Sequence, residues 1–349
     1  MDFRHLNGIS LHWLSALGCL LPPVVGLAQG DGYGAPAGYY AAADGLTGTA
    51  LDKALHERIR NHTVITYSGL LSLYRATEVD PANSANLIMI YNGQSMSAGS
   101  IGTSGPLIWN REHLWPQSWG TSSGPGNSDA HHVFPCNGWV NEKRSNLRFD
   151  WTNPAALTRV LYSGVDLAPG TTYDTDSFEP WDTDKGKVAR AMFYMATRYD
   201  GRDTGTPDLR LGNFPSQGSN TFGHLDALLT WNRMFAPNER ERRRNHLIYS
   251  GALVASVTYK QGNRNPFIDY PELADAIYLP ATTVSYGTWR WRHFTPAELD
   301  DPDITGDLAD PDGDGLANLI ELSANLDPRA AGATGAPRFL RLHRWHMPP

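Results

Sequence analysis

The stretch Asn110–Ser118, NREHLWPQS, sets a glutamate directly before a histidine inside an apolar frame. It belongs to a longer strand-like segment, LIWNREHLWP, followed by TSSGPGNS, which is loop by composition. AHHVFPC then reads as a second short strand, and WVNEKRSNLRF is polar enough for a short surface helix. Leu107 to Phe149 therefore reads strand, loop, strand, helix. Neighbouring side chains on a strand face opposite sides, so Glu112 and His113 do not naturally share a hydrogen bond. If both serve one site, the strand is expected to twist or bulge there.

Working outward, TALDKALHERIRNH places Leu51, Leu55 and Ile59 at helical spacing, and SGLLSLYRA reads as a second helix. ANLIMIYNG is a short β-rich run ending in the turn pair Asn-Gly. Downstream the chain turns helical: DKGKVARAMFYMATRYDG carries Val188, Ala191, Met192 and Met195 on one face and ends on a glycine. GHLDALLTWNRMF and NERERRRNHLIYSGAL read as two more helices. With 349 residues, 41% hydrophobic and 11% aromatic, the chain has ample material for a core. Residues 29–290 are expected to form one α+β domain.

The N-terminus reads as a removable export signal. WLSALGCLLPPVVGLA is an apolar run shorter than a membrane span, and Gly26 and Ala28 are small residues suited to cleavage after Ala28. Residues 1–28 are thus a predicted leader, and secretion to the periplasm or the medium is expected. Cys136 would be the single cysteine left, which rules out an internal disulfide and a thiolate zinc site of the usual kind. HExxH is absent, and PCNGW lacks the second cysteine of a zinc deaminase.

Charge is unevenly divided. From Thr295 onward there are ten acidic residues and four arginines, about six of the seven net negative charges. The nearly neutral body does not announce a polyanion partner, although Arg240–Arg244 forms a local basic run.

Taken singly, the residues of the opening motif suit phosphodiester chemistry. A neutral His113 imidazole is able to take a proton from water. Glu112 and Asn141 offer hard oxygens of the kind magnesium prefers, and two protein oxygens leave room for water and phosphate. Arg144 lies one turn beyond Asn141 and brings a guanidinium to the same predicted helix face.

NREHLWPQS, DAHHVFP and VNEKRSN together resemble the secreted endonuclease I family, metal-dependent nucleases built on a ββα-metal (His-Me) finger. The resemblance extends to YYAAADGLTGTALDKALHERIRNHTVITYS upstream and to KGKVARAMFYMATRY and QGNRNPFID downstream, roughly residues 38–278. It implies His113 as general base and one Mg2+ held by Glu112 and Asn141. It also implies a nucleic acid substrate, DNA with RNA left open as a second, cut with little sequence specificity to 5′-phosphate and 3′-hydroxyl ends. The family can place an arginine near the product phosphate, but LWPQSWGTSSGPGNS contains none. Arg111, Arg144 and Arg264 are the candidates, with Arg144 first by its spacing from Asn141. Asp129, His131 and Asn146 are candidate supporting or substrate residues, Asp129 to orient a histidine or cap a turn.

The tail carries a separate pattern. In DPDGDGLANLIE, Asp310, Asp312, Asp314, Asn318 and Glu321 fall at positions 1, 3, 5, 9 and 12 of a calcium loop. Gly315 stands at the turn position, and the Leu316 carbonyl is a further ligand. Residues 310–328 are expected as an EF-hand-like or dockerin-like loop and exiting helix, 291–309 as a linker, and 329–349 stay unassigned. A lone loop suits stabilisation of the tail, a spacer or surface attachment, with no obligatory protein partner implied. Two function classes follow: a secreted magnesium-dependent endonuclease, or a noncatalytic extracellular calcium-binding adhesion or matrix protein on a nuclease-like scaffold.

Overall fold

The longest helix, α4 (Asp182–Arg198), forms the axis of the body in a computed structural model that describes residues 32–213, 220–279, 286–299, 301–324 and 326–331. The predicted leader, and residues 332–349 of the unassigned tail, lie outside the described residues. Val188, Met192, Tyr194 and Met195 of α4 are fully buried. Against α4 pack α1 (Gly48–Ile59), which gives Leu51, Leu55 and Ile59 to the core, and α5 (Leu225–Met234). Each of those apolar side chains contributes about 1.5–3 kcal/mol through burial. Gly186 is required where α4 meets the end of α5: a Cβ there would stand 2.1 Å from the Phe235 carbonyl oxygen.

Helices and short, mostly antiparallel strands are interspersed along the chain, a mixture consistent with the α+β reading. Helix α2 (Gly69–Thr77) leads into an antiparallel sheet of β1 (Val79–Asp80), β2 (Asn83–Ile88) and β3 (Ser95–Ser97). The hairpin that positions the site follows: β4 (Trp109–His113) pairs antiparallel with β5 (Val133–Asn137). β5 turns directly into α3 (Gly138–Arg144) because the Asn137 side chain caps the helix, accepting from Trp139 N at 3.0 Å and Val140 N at 3.3 Å.

Pairing from Trp109↔Asn137 to His113↔Val133 runs one for one with no register shift. The expected bulge at Glu112 and His113 is therefore not present; strand alternation sends the two side chains into different surroundings, which counts against both reaching one phosphate. The outer edge of β4 is covered by α3, whose Asn141 and Arg144 side chains reach the Arg111 and His113 carbonyls.

The basic run is also anchored inward. In α6 (Glu239–Ser250), Arg244 is 3% exposed, donates to Glu78 Oε1 at 2.5 Å and to Val133 O at 3.1 Å, and so fixes the start of β5. Arg240 and Arg243 donate to the Glu78 and Ala76 carbonyls. These side chains tie α6 to α2 and β1.

Helices α7 (Pro266–Asp269) and α8 (Leu273–Tyr278) lead to α9 (Tyr286–His293). Residues 291–309, expected as a linker, instead carry the short helices Pro296–Leu299 and Pro302–Thr305 and place Phe294 and Leu299 in the main core. Among the described residues no helix is long and apolar enough to cross a membrane.

Candidate active site

Two environments lie on either side of β4. On one, Glu112 is 2% exposed; its Oε1 accepts from the Tyr91 hydroxyl at 2.7 Å and lies 3.3 Å from Arg144 Nε. Burial pushes the carboxyl up, against the pull of the Arg144 guanidinium, the Tyr91 hydroxyl and the His113 N–H. Tyr91 holds a left-handed backbone (φ 75°), sterically costly for a bulky residue. It is kept there by bonds from its N–H to Asp184 Oδ2 at 2.8 Å and from Thr171 Oγ1 to its carbonyl at 2.7 Å.

On the other side, His113 stacks on Tyr67 (centroids 5.7 Å apart) and meets His132 edge-on. Its Nε2 lies 2.9 Å from the Asn127 carbonyl and 3.2 Å from Asn127 Oδ1. Gln117 donates to that same Oδ1 at 2.7 Å. Both neighbours of Nε2 are acceptors, so Nε2 carries the hydrogen and Nδ1 keeps the lone pair, the atom able to take a proton. Burial holds the imidazole below its usual range; Asn127 opposes this, and the Arg144 and Arg111 cations reinforce it. The net effect favours the neutral imidazole.

Asn141 is half-buried on α3. Its Nδ2 donates to Asn110 Oδ1 at 2.7 Å and lies 3.5 Å from the Arg111 carbonyl, on the peptide that joins Arg111 to Glu112. With the NH2 end held by these two acceptors, Oδ1 is the acceptor end of the amide. The Asn141 amide thus lies beside the peptide that enters Glu112, and no hydrogen bond joins the Glu112 carboxylate to the His113 ring.

The arginine order changes. Arg144 is 1% exposed, and its guanidinium donates to the His113 carbonyl at 3.1 Å and the Leu114 carbonyl at 2.5 Å besides pairing with Glu112. It holds the carboxylate and the strand end and is not open to a substrate phosphate. Arg264 is fully buried in a two-pronged pair with Asp269, at 2.7 and 2.6 Å, and donates to the Tyr33 carbonyl. Arg111 stays half-buried, its guanidinium 3.5 Å over the Tyr67 ring and Nη1 2.7 Å from the Tyr67 carbonyl. Of the three it alone combines exposure with proximity to His113.

The remaining candidates divide likewise. Asp129 caps the turn before β5 through His131 N and accepts from the Tyr194 and Tyr199 hydroxyls, each at 2.8 Å, and from Gln261 Nε2. Burial alone would raise its carboxyl; the imidazoles of His62, His131 and His132 hold it well below the usual range. His131 and His132 place Nε2 against the carbonyls of Asn263 and Gly126 and are buried. Asn146 is exposed past the end of α3. Sequence reasoning missed Tyr67, Tyr91 and Asn127, which lie outside the charged motifs; Gln117 in the first motif, which donates to Asn127, was the available signal.

The Endonuclease I family model matches residues 47–272, the span that contains both sides of β4 and the helices behind them. The chain belongs to the Endonuclease I family. The extracellular ribonuclease of Bacillus amyloliquefaciens is 43% identical over 248 residues, covering 69% of this chain and 78% of that protein. The extracellular ribonuclease of Bacillus subtilis (strain 168) is 42% identical over 250 residues with the same coverages. As an Endonuclease I family member the chain is a nuclease, a hydrolase of nucleic acid, which favours the enzyme over the noncatalytic class. The matched span stops before the tail loop.

Proposed function

We propose that this Endonuclease I family member is an exported, magnesium-dependent endonuclease that cuts RNA and DNA with little sequence specificity, with His113 as general base. The single observation that carries the reading is the fixed tautomer of His113: Nε2 faces two Asn127 oxygens, so Nδ1 is left basic. A histidine held neutral in this way removes a proton from water as it attacks phosphorus.

Glu112 and Asn141 fit a magnesium ion. One supplies a carboxylate and the other an amide oxygen, and the buried carboxyl has a raised affinity for its proton that a cation would reverse. Bound there, Mg2+ would neutralise charge on the phosphate and the departing 3′-oxygen. Arg144 and Tyr91 hold the Glu112 carboxylate in one orientation. Arg111, over Tyr67 and beside the base, binds the phosphate on the His113 side. With water as the nucleophile and the 3′-oxygen as the leaving group, the sugar 2′-hydroxyl has no part in the reaction, so its absence does not bar DNA as a substrate, and the ends are 5′-phosphate and 3′-hydroxyl.

The ribonuclease names of the two Bacillus relatives support RNA among the substrates, and their extracellular description supports export after cleavage at Ala28. The test is digestion of plasmid DNA and of a long RNA with magnesium, with chelator, and with His113→Ala. Chelator and variant should each abolish cutting of both polymers. A His113→Ala protein as active as its parent would remove the proposed base.

A further inference from the structure

The residues Asp310–Glu321 form a turn against α9 in which Asp310, Asp312 and Asp314 bring a carboxylate oxygen each within 4.8 Å of one another. Carboxylates at this spacing repel, and by themselves they are common on surfaces. What sets this group apart is the buried oxygen beside it. Asn318 is fully buried, and its Nδ2 donates to the Ile304 and Gly306 carbonyls, both at 2.9 Å. The amide is thereby oriented with Oδ1 away from those carbonyls, and Oδ1 has no hydrogen-bond partner. Glu321 is 1% exposed and Asp312 half-buried; Glu321 Oε2 and Asp312 Oδ2 also lack partners. Glu321 stands on the exiting helix Asn318–Ala324, one turn after Asn318. Three buried acceptors without donors are each expensive to desolvate, and a cation would satisfy all three.

The same segment is bolted to the nuclease body. Trp289 Nε1 donates to the Leu326 carbonyl at 3.1 Å, just past the loop's exiting helix Asn318–Ala324. The Tyr286 hydroxyl donates to the Thr305 carbonyl at 2.7 Å, and Arg290 Nη2 reaches Thr305 Oγ1 and the Leu299 carbonyl. On the far face of α9, Trp291 Nε1 donates to the Leu46 carbonyl at the entry to α1, and the Trp291 ring packs on Tyr270. Asn318 therefore joins the loop to the turn before it, and α9 joins both to the α1 and α7 side of the core.

The geometry points to one Ca2+ bound by Asp310, Asp312, Asp314, the Leu316 carbonyl, Asn318 and Glu321, clamping the C-terminal segment onto the nuclease body so that calcium stabilises the whole fold. Six oxygens, flexible spacing and several carboxylates favour calcium over magnesium, which demands tighter octahedral geometry. Left-handed glycines at Gly313 (φ 75°) and Gly315 (φ 90°) let the chain wrap this tightly. Calcium acts here through stability and contributes nothing to the bond-cutting step.

The experiment is equilibrium dialysis of the full chain against calcium chloride in excess magnesium chloride, paired with thermal melting. The parent should bind one calcium per chain, and its melting temperature should rise by on the order of 5 °C at calcium a hundredfold above the dissociation constant. Glu321→Gln should lose both effects yet cut nucleic acid normally in magnesium below its own melting temperature. Asp312→Asn is a second variant that keeps the test decisive where Glu321→Gln folds poorly. A parent that binds no calcium, calcium binding that leaves the melting of the nuclease body unchanged, or an undiminished shift in both variants would each overturn the inference. Failure of the parent to cut nucleic acid while it still binds calcium would count against the nuclease reading alone.

Discussion

The β4–β5–α3 unit and the tail loop, the two places proposed to hold a divalent cation, are built in opposite ways. In the first, one carboxylate, Glu112, is buried and restrained by Tyr91 and Arg144, with the Asn141 amide beside its peptide. In the tail, three carboxylates cluster on one turn, and buried oxygens of Asp312, Asn318 and Glu321 are left without donors. A site that must admit phosphate and water keeps few protein ligands and orients them from outside; a site that only holds chain together surrounds its ion. The restraints, more than the ligands, distinguish the two.

Removing the base should break that contrast most severely. His113→Ala is expected to lower kcat by about 10²–10⁴ while leaving calcium binding and melting unchanged, read by initial rates and dialysis on one preparation. An equal loss of calcium binding would mean that the two regions are not separate.

The buried clamp comes next. Arg144→Ala leaves the Glu112 carboxylate without its cation in the interior, and about 3–5 kcal/mol of stability should be lost, measured by urea unfolding. Arg111→Ala, at a half-exposed site, should leave stability nearly intact and reduce kcat/KM by about tenfold to a hundredfold. If Arg144→Ala is stable and Arg111→Ala fully active, the division between clamp and phosphate ligand is wrong.

That pair also shows what the sequence made legible. Strand, loop, strand and helix could be read from Leu107 to Phe149, as could the core stripe of Leu51, Leu55 and Ile59, because burial imposes a period on residue type. The roles of the arginines could not. Arg144 has the correct helical spacing from Asn141, but whether a guanidinium turns inward depends on carbonyls at His113 and Leu114, which backbone geometry supplies and residue identity does not. Tyr67 and Tyr91 were invisible for a related reason: each reaches the site across the fold, and no local motif marks them. The expected linker at 291–309 misled because its Pro, Asp and Gly content describes a turn-rich path, whereas Trp289, Trp291 and Phe294 decide that the path is packed.

The smallest effect concerns the histidines behind β5. Burial holds His131 down to about 4 and His132 down to about 3, whereas in the unfolded chain both titrate near the ordinary value of about 6.5. Between pH 6.5 and 4 the unfolded chain binds protons that the native state refuses, so stability should fall as pH drops. The slope should reach up to about 1.36 kcal/mol per pH unit for each histidine. Urea midpoints at pH 7 and pH 5 measure it. His132→Gln should flatten the slope, and a variant that keeps the parent's slope would show that this ring is not held neutral.

The central claim, water activated by His113 without help from the sugar, is tested most directly by the ends of the products. A labelled DNA strand and an RNA strand of the same sequence, digested in magnesium, should both yield 5′-phosphate and 3′-hydroxyl ends, and neither should be cut in chelator. Cleavage of the RNA alone, leaving 2′,3′-cyclic phosphate ends and continuing in chelator, would contradict the account.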